Sequence, residues 1–216
     1  VWTGQTDGEF FGASLAYGDL NDDGFKDLVV GAPNWEDPNN PVAGPDPWVN
    51  PGRVYIYFGS GNGLPDDPSM TIAGEKNSDF FGTSLAIAGG SIDDDDYGDL
   101  VVGMSEHPDD EGAVIVIYGS ADWSDTSRRT RVDGEAGTLV FGQSVQAADV
   151  NGDNFDAVIV GVPTDGNAGR GFVKVYFGEA AGLETSNPWG TGFLFRTGVA
   201  DAGHDDVDVR LNITYG

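Results

Sequence analysis

Three copies of one motif pair run through the chain, and they constrain its fold more than any other feature. The copies are FFGASLAYGDLNDDGFKDLVVGAP from Phe10 to Pro33, FFGTSLAIAGGSIDDDDYGDLVVGM from Phe80 to Met104, and FGQSVQAADVNGDNFDAVIVGVP from Phe141 to Pro163. Each is followed by a second run: GRVYIYFGS from Gly52, GAVIVIYGS from Gly112 and GFVKVYFGE from Gly171. SLAY, DLVVGA and RVYIYF are short, rich in β-branched and aromatic residues, and bounded by Gly, Pro and Asp, which predicts strands. RVYIYF alternates about Val54, Ile56 and Phe58, predicting one buried face. DLVVG is continuously apolar, as expected of a strand covered on both sides. MTIAGE (Met70 to Glu75) and TRVDGE (Thr130 to Glu135) supply a fourth strand per unit. Four short strands in each unit of about 60–70 residues is the pattern of a β-propeller blade.

The motifs that carry this pattern, Phe11-Gly12, Gly31-Ala32-Pro33 and the intervening DLNDDGFKD, resemble FG-GAP repeats, the blades of the integrin α-subunit propeller. The Gly-Ala-Pro element persists as Gly161-Val162-Pro163 and degrades to Gly103-Met104-Ser105 in the middle copy. The expected fold is all-β: four-stranded antiparallel propeller blades, about three of them plus a partial one. Residues 1–9 are expected to be the outer strand of a preceding blade. Blade 1 covers 10–76 with a Pro-rich insertion at 33–52, blade 2 covers 77–136, blade 3 covers 137–198, and 199–216 form a partial or degenerate fourth unit. Phe193 to Gly198 is the expected outer strand of blade 3, and Asp206 to Ile213 the start of the fourth unit. Three blades do not close a ring, so the reading is a piece of something longer, with completion by neighbouring copies as the alternative. Phe10, Phe11, Phe80, Phe81 and Phe141 are expected to pack blade against blade.

Between the first two strands of blade 1, DLNDDGFKD sets oxygen-bearing side chains at loop positions 1, 3, 5 and 9: Asp19, Asn21, Asp23 and Asp27. Gly24 sits at the turn, and Phe25 offers its carbonyl. Calcium takes six to eight hard oxygen ligands in flexible geometry, and alternating positions turn side chains toward one ion. An EF-hand is excluded, because position 12 is Val30 and the flanks are strands. The resemblance implies a calcium loop between two strands of a blade. The third copy keeps Asp149, Asn151, Asp153 and Phe155. Asn154 replaces the glycine, Ala157 replaces the last Asp, and Asp156 lies one place early. Asn enters the left-handed region readily, so Asn154 is tolerable there. The second copy aligns as Ser91, Asp93, Asp95, Tyr97 and Asp99, with an approach two residues longer and four consecutive Asp residues that call for a cation. Magnesium, which wants rigid octahedral sites, fits less well than Ca2+. Solvated Asp-rich turns are the alternative at each loop.

Charge and composition narrow the function classes. The chain carries 36 acidic and 10 basic side chains, a net charge of −26, with no cysteine. So acidic a surface repels phosphate backbones, which argues against nucleic-acid binding. Disulfides, thiol nucleophiles and Cys-zinc sites are excluded. No run of apolar residues is long enough to span a bilayer. The acids comprise 28 Asp and 8 Glu, against three Lys (Lys26, Lys76, Lys174). Turns and metal loops explain Asp but not the scarcity of Lys, which points to a surface adapted to high salt.

Within 33–52 lie six of the eleven prolines and two tryptophans, Trp35 and Trp48. By resemblance this connection lies on the face opposite the calcium loops, where the tryptophans either stack on a ligand or pack the loop onto the blade. Arg128, Arg129 and Arg131 form a basic cluster read as an intramolecular partner for acidic loops. His107 and His204 read as surface residues, and Asn212 opens an N-glycosylation sequon. No nucleophile elbow, phosphate loop or HExxH motif is present, and no carboxylate pair stands out, so the chain reads as a non-enzyme. The expected role is a calcium-stabilised adhesion or protein-interaction module at the cell surface or outside the cell, binding an extracellular protein or glycan. The alternatives are a structural subunit of a filament or surface layer joined through incomplete blades, and a carbohydrate-binding or carbohydrate-active propeller.

Overall fold

The computed structural model describes residues 1–38, 50–75, 79–105, 111–135, 140–163 and 171–185, together with the backbone pairing of 195–196. Trp48, His107, His204, Asn212 and the expected fourth unit lie outside the described residues.

Three four-stranded antiparallel sheets follow one another along the chain. The first comprises β1 (Ser14–Gly18), β2 (Asp27–Ala32), β3 (Arg53–Tyr57) and β4 (Met70–Ala73). The second comprises β5 (Ser84–Ala88), β6 (Asp99–Met104), β7 (Ala113–Ile117) and β8 (Arg129–Asp133). In the third, β9 (Ser144–Ala148), β10 (Ala157–Val162) and β11 (Phe172–Tyr176) precede a ribbon of β12 (Gly178–Glu179) and β13 (Gly182–Leu183), and β14 (Phe195–Arg196) completes the sheet against β11. Among the described residues there is no helix, so none long and apolar enough to cross a membrane.

Each sheet is a meander whose strands pair in chain order. The first strands of the blades stand side by side, β1 beside β5 and β5 beside β9. Alternation within these strands sorts their side chains between neighbours. Ser14, Ala16 and Gly18 face blade 2, where Leu85 and Ile87 meet them; Ala86 and Ala88 face blade 3 and join Val145 and Ala147. Blade 2 is therefore covered on both sides, and every residue of β6 and β7 is buried. This is the structural reason for the continuous apolar run in DLVVGM.

The two recurring glycine motifs turn out to be halves of one contact. The Ser14 hydroxyl donates to the Gly82 carbonyl at 2.6 Å, and Ser84 donates to Gly142 at 2.7 Å. That same Gly82 carbonyl lies where a Cβ on Gly31 would fall, and the Gly142 carbonyl lies likewise over Gly103. A side chain at Gly31 or Gly103 would wedge the blades apart. Phe81 and Phe141, beside those carbonyls, are fully buried between blades, each contributing about 1.5–3 kcal/mol of apolar burial.

Two expectations change. Phe10 is exposed although its counterpart Phe80 is buried, because no described residue covers the front of β1. For the same reason Leu15 is 63% and Tyr17 80% accessible, whereas Leu85, the counterpart of Leu15, is 6%. Residues 1–9 form no strand. They fold over the outer half of blade 1 instead: Trp2 packs edge-on to Tyr57, and its indole donates to the Pro65 carbonyl. Buried Glu9 accepts from Gln5 N, Thr6 Oγ1 and the Tyr55 hydroxyl at 2.6, 3.1 and 2.7 Å.

Candidate metal centre

All three acidic segments occupy the hairpin between the first and second strands of a blade, at the end opposite the connection that follows the second strand. In the first loop the side chains curl onto their own backbone. Asp19 accepts from Asp23 N at 3.2 Å and Gly24 N at 3.0 Å. Asn21 Nδ2 donates to Asp23 Oδ2, and Asp23 Oδ1 accepts from Phe25 N at 2.9 Å. Gly24 adopts φ +84°, a left-handed turn that glycine enters without a steric cost.

The third loop repeats this wiring. Asp149 accepts from Gly152 N at 2.7 Å and Asn154 N at 3.0 Å, Asn151 donates to Asp153, and Asp153 accepts from Phe155 N. Those backbone donors hold the Asp149 carboxyl below the usual carboxylate range. Asn154 stands at φ +73° where Gly24 stands in the first loop, as the substitution predicts.

The second loop keeps the frame and changes the environment. Ser91 Oγ takes the place of the Asp19 carboxylate and accepts from Asp95 N at 3.2 Å, while Asp95 Oδ1 accepts from Tyr97 N at 3.0 Å. The two extra residues, Gly89 and Gly90, reach toward blade 3, where Gly90 N donates to Asp156 Oδ2 at 3.0 Å. Asp156 thus ties blade 3 to blade 2. Unlike the first loop, this one is largely enclosed: Ser91, Asp93 and Asp99 are buried. One carboxylate oxygen from each of Asp93, Asp95 and Asp99 lies within 4.8 Å of the others. Among the described residues no other trio of acidic or histidine side chains is gathered this closely. Asp93 Oδ2 has no hydrogen-bond partner, although it is ion-paired with Arg128. Three clustered carboxylates, one of which has a buried oxygen without a hydrogen bond, are a donor set that could hold a hard metal ion.

The last acidic position carries a second role that spacing did not reveal. Asp27 accepts from Leu20 N at 2.7 Å and Gly59 N at 2.8 Å, stapling the loop to the end of β3. Asp99 does the same with Ile92 N at 2.7 Å and Gly119 N at 2.9 Å. Each oxygen keeps a lone pair for a cation, but the staple stands without one. Burial raises the carboxyl of Asp27, and that of Asp99 to about 7, against the lowering effect of the backbone donors; neighbouring carboxylates add to the rise. Asp95 is raised too, chiefly by burial. In the third loop Ala157 holds this position and the staple is lost.

The first loop is also roofed by the next blade. Trp123, buried at the end of blade 2, donates its indole N–H to the Leu20 carbonyl of the first loop at 2.9 Å. A periodic motif search has no means of finding this residue, because Trp123 belongs to neither repeated run.

At the opposite end, Trp35 is 4% accessible and packs with Val30, Ala32, Tyr55 and Tyr57. The Arg53 guanidinium lies 3.5 Å from its ring centroid. Both faces are thereby taken, so Trp35 holds the insertion on the blade and presents no free platform for a sugar. Of the basic cluster, Arg128 pairs with an acidic loop, through Asp93 and Asp95, whereas Arg129 pairs with Glu75 and Arg131 with Asp133 on its own strand.

Comparison with known proteins agrees with this architecture. Residues 11–57 match the FG-GAP repeat family model. Integrin alpha-7 of Rattus norvegicus is 34% identical over 157 residues, covering 72% of this chain and 13% of that protein. Integrin alpha-4 of Xenopus laevis is 30% identical over 163 residues, covering 73% and 15%. The phosphatidylinositol-glycan-specific phospholipase D of Bos taurus is 30% identical over 180 residues, covering 77% and 20%. The chain therefore spans between about an eighth and a fifth of the length of these relatives. Repeated blades, the Phe-Gly and Gly-Ala-Pro contact between them, and these similarities together make the chain a member of the FG-GAP repeat family, with blades like those of integrin alpha subunits.

Proposed function

We propose that the chain is a calcium-stabilised, non-enzymatic adhesion or protein-interaction module that works outside the cell. The observation that carries the calcium half is the gathering of Asp93, Asp95 and Asp99 in a loop whose frame recurs in all three blades. In this reading Asp19, Asn21, Asp23 and the Phe25 carbonyl hold an ion in the first loop, with Asp27 behind them. Ser91, Asp93, Asp95, Asp99 and the Tyr97 carbonyl do so in the second. Asp149, Asn151, Asp153 and the Phe155 carbonyl form the third and weakest site, since Ala157 removes one anionic group and Asp156 is engaged by blade 2. The ion neutralises crowded carboxylates and pins the hairpin, and it stabilises the fold because it binds the folded state alone.

The interaction half rests on the integrin relatives and on the uncovered front of β1. Phe10, Leu15 and Tyr17 form an apolar surface there, one that suits a protein partner or a further blade.

Thermal unfolding in molar KCl, with calcium and then with excess chelator, tests the first half. At free calcium a hundredfold above Kd, one site adds about 2.7 kcal/mol; an unchanged Tm overturns the calcium reading. Sedimentation in the calcium buffer, followed by binding to purified extracellular proteins and to a glycan array, tests the second. Calcium-dependent capture of a protein by a monomeric chain supports it. Ordered self-association points to the assembly alternative, and binding to glycans alone points to the carbohydrate alternative.

A further inference from the structure

The second loop meets a cation that the chain itself supplies. Arg128 directly precedes β8, and its carbonyl is held by Tyr118 N at 3.1 Å. Its guanidinium pairs with Asp93 Oδ2, lies 3.4 Å from Asp95 Oδ2, and sits 4.6 Å from the centre of the Tyr118 ring. The Asp93 side chain is wholly inaccessible, while that of Arg128 is 52% accessible. The contact to Asp93 is an ion pair outside hydrogen-bond geometry.

Strand register shows that blade 1 lacks this arrangement. Ile56 and Val116 hold equivalent places, each four residues after the blade's Gly52 or Gly112. Ile56 pairs with Met70 and Val116 with Thr130. Two residues before Met70 and Thr130 stand Pro68 and Arg128. The first blade thus has no charge to offer its loop from this position. The chain carries one where four Asp residues run consecutively.

We propose that Arg128 is the internal counter-cation of the second loop and that a divalent ion enters this loop only by displacing it. The proposal rests on the calcium reading above for its second half. The Asp93 carboxylate belongs both to the ion pair, through Oδ2, and to the gathered donor set, and a guanidinium and a calcium ion on one enclosed carboxylate repel each other. Arg128 can leave once the entering ion replaces its charge. Its side chain is half exposed, its link to Asp93 is charge attraction outside hydrogen-bond geometry, and the one hydrogen bond it donates to the loop, to Asp95 Oδ2, is long at 3.4 Å. The apparent calcium affinity of the loop is its intrinsic affinity reduced by the fraction of molecules in which Arg128 has moved aside. Arg128 is in this sense a specificity-determining residue: it keeps the loop neutralised when calcium is scarce and sets the concentration at which calcium takes over.

The test compares the wild-type chain with Arg128→Met, which keeps the stem and removes the charge, and with Arg128→Lys. Calcium chloride titration by calorimetry and Tm in excess chelator are both read. The expected result is a lower Tm for Arg128→Met in chelator, recovered on adding calcium, and one class of sites binding about tenfold more tightly. Arg128→Lys is expected to fall between the two. If Arg128→Met keeps both the wild-type chelator Tm and the wild-type affinities, the proposal is overturned. Should neither protein bind calcium, the calcium reading fails by itself, and the chelator Tm still decides whether Arg128 neutralises the loop. A drop in Tm together with unchanged affinities at every site removes the competition and overturns the proposal as stated.

Discussion

The first and second acidic loops share one backbone and handle their charge in opposite ways. In each, a carboxylate at position 5 accepts from the N–H two residues on, and a buried Asp at position 9 staples the hairpin through two backbone donors. The first loop leaves Asp23 facing water, spaces its acids with Asn21, and is roofed by the Trp123 indole. The second encloses Asp93, carries four Asp residues in a row, and brings Arg128 across from the outer strand. Solvent does much of the screening in the first, whereas the second has to find a cation, because burial makes like charges expensive. The same motif therefore handles its charge differently within one chain, according to what lies over it.

The largest effect expected is at the roof of the first loop. Trp123→Ala removes a fully buried indole and leaves the Leu20 carbonyl without its donor, at a cost of about 3–5 kcal/mol. Chemical denaturation measures this. A loss under about 1 kcal/mol would mean that the first loop does not depend on the neighbouring blade, and the contrast in roofing would break.

A smaller change is expected from Asp27→Asn. The amide keeps one acceptor oxygen and presents a donor where Gly59 N or Leu20 N also donates, so about 1.5–3 kcal/mol is lost through one charge-assisted bond. This loss should persist in chelator, since the staple stands without an ion. A loss seen in calcium alone would assign Asp27 to the metal and not to the hairpin.

The most diagnostic effect is the pH response of the second loop. The Asp99 carboxyl is raised to about 7, chiefly by burial. A group whose pKa is raised on folding stabilises the fold most when protonated in both states. That contribution is full below about pH 4 and is lost as pH climbs through about 7. In chelator, Tm should therefore fall between pH 5 and 8. Calcium, which favours the ionised carboxylate, should flatten or reverse that slope. A flat profile in chelator would show that the enclosed loop carries no protonation strain.

The blades themselves were legible because they repeat. Strand identity, the four-strand unit and the position of the acidic hairpins all follow from alternation within each run and from the recurrence of the runs along the chain, and the structure has them where that pattern predicts. Asn154 at a left-handed position was legible too, through the chemistry of the residue it replaces. Phe10 was not: its counterpart Phe80 is buried by another blade, and a repeat pattern does not say which copy lacks a neighbour. Trp35 left two readings open, and packing by Val30, Tyr55 and Arg53 chose between them.

What the sequence by itself determined is local and periodic: strands, turns and oxygen-rich loops, each specified by residues close along the chain. Tertiary structure alone decided which carboxylates are staples, which are enclosed, and which cation reaches them. Arg128 meets Asp93 across 35 positions, and Trp123 meets Leu20 across 103. Contacts at such separations depend on how twisted sheets stack, and no spacing rule along a single strand encodes that.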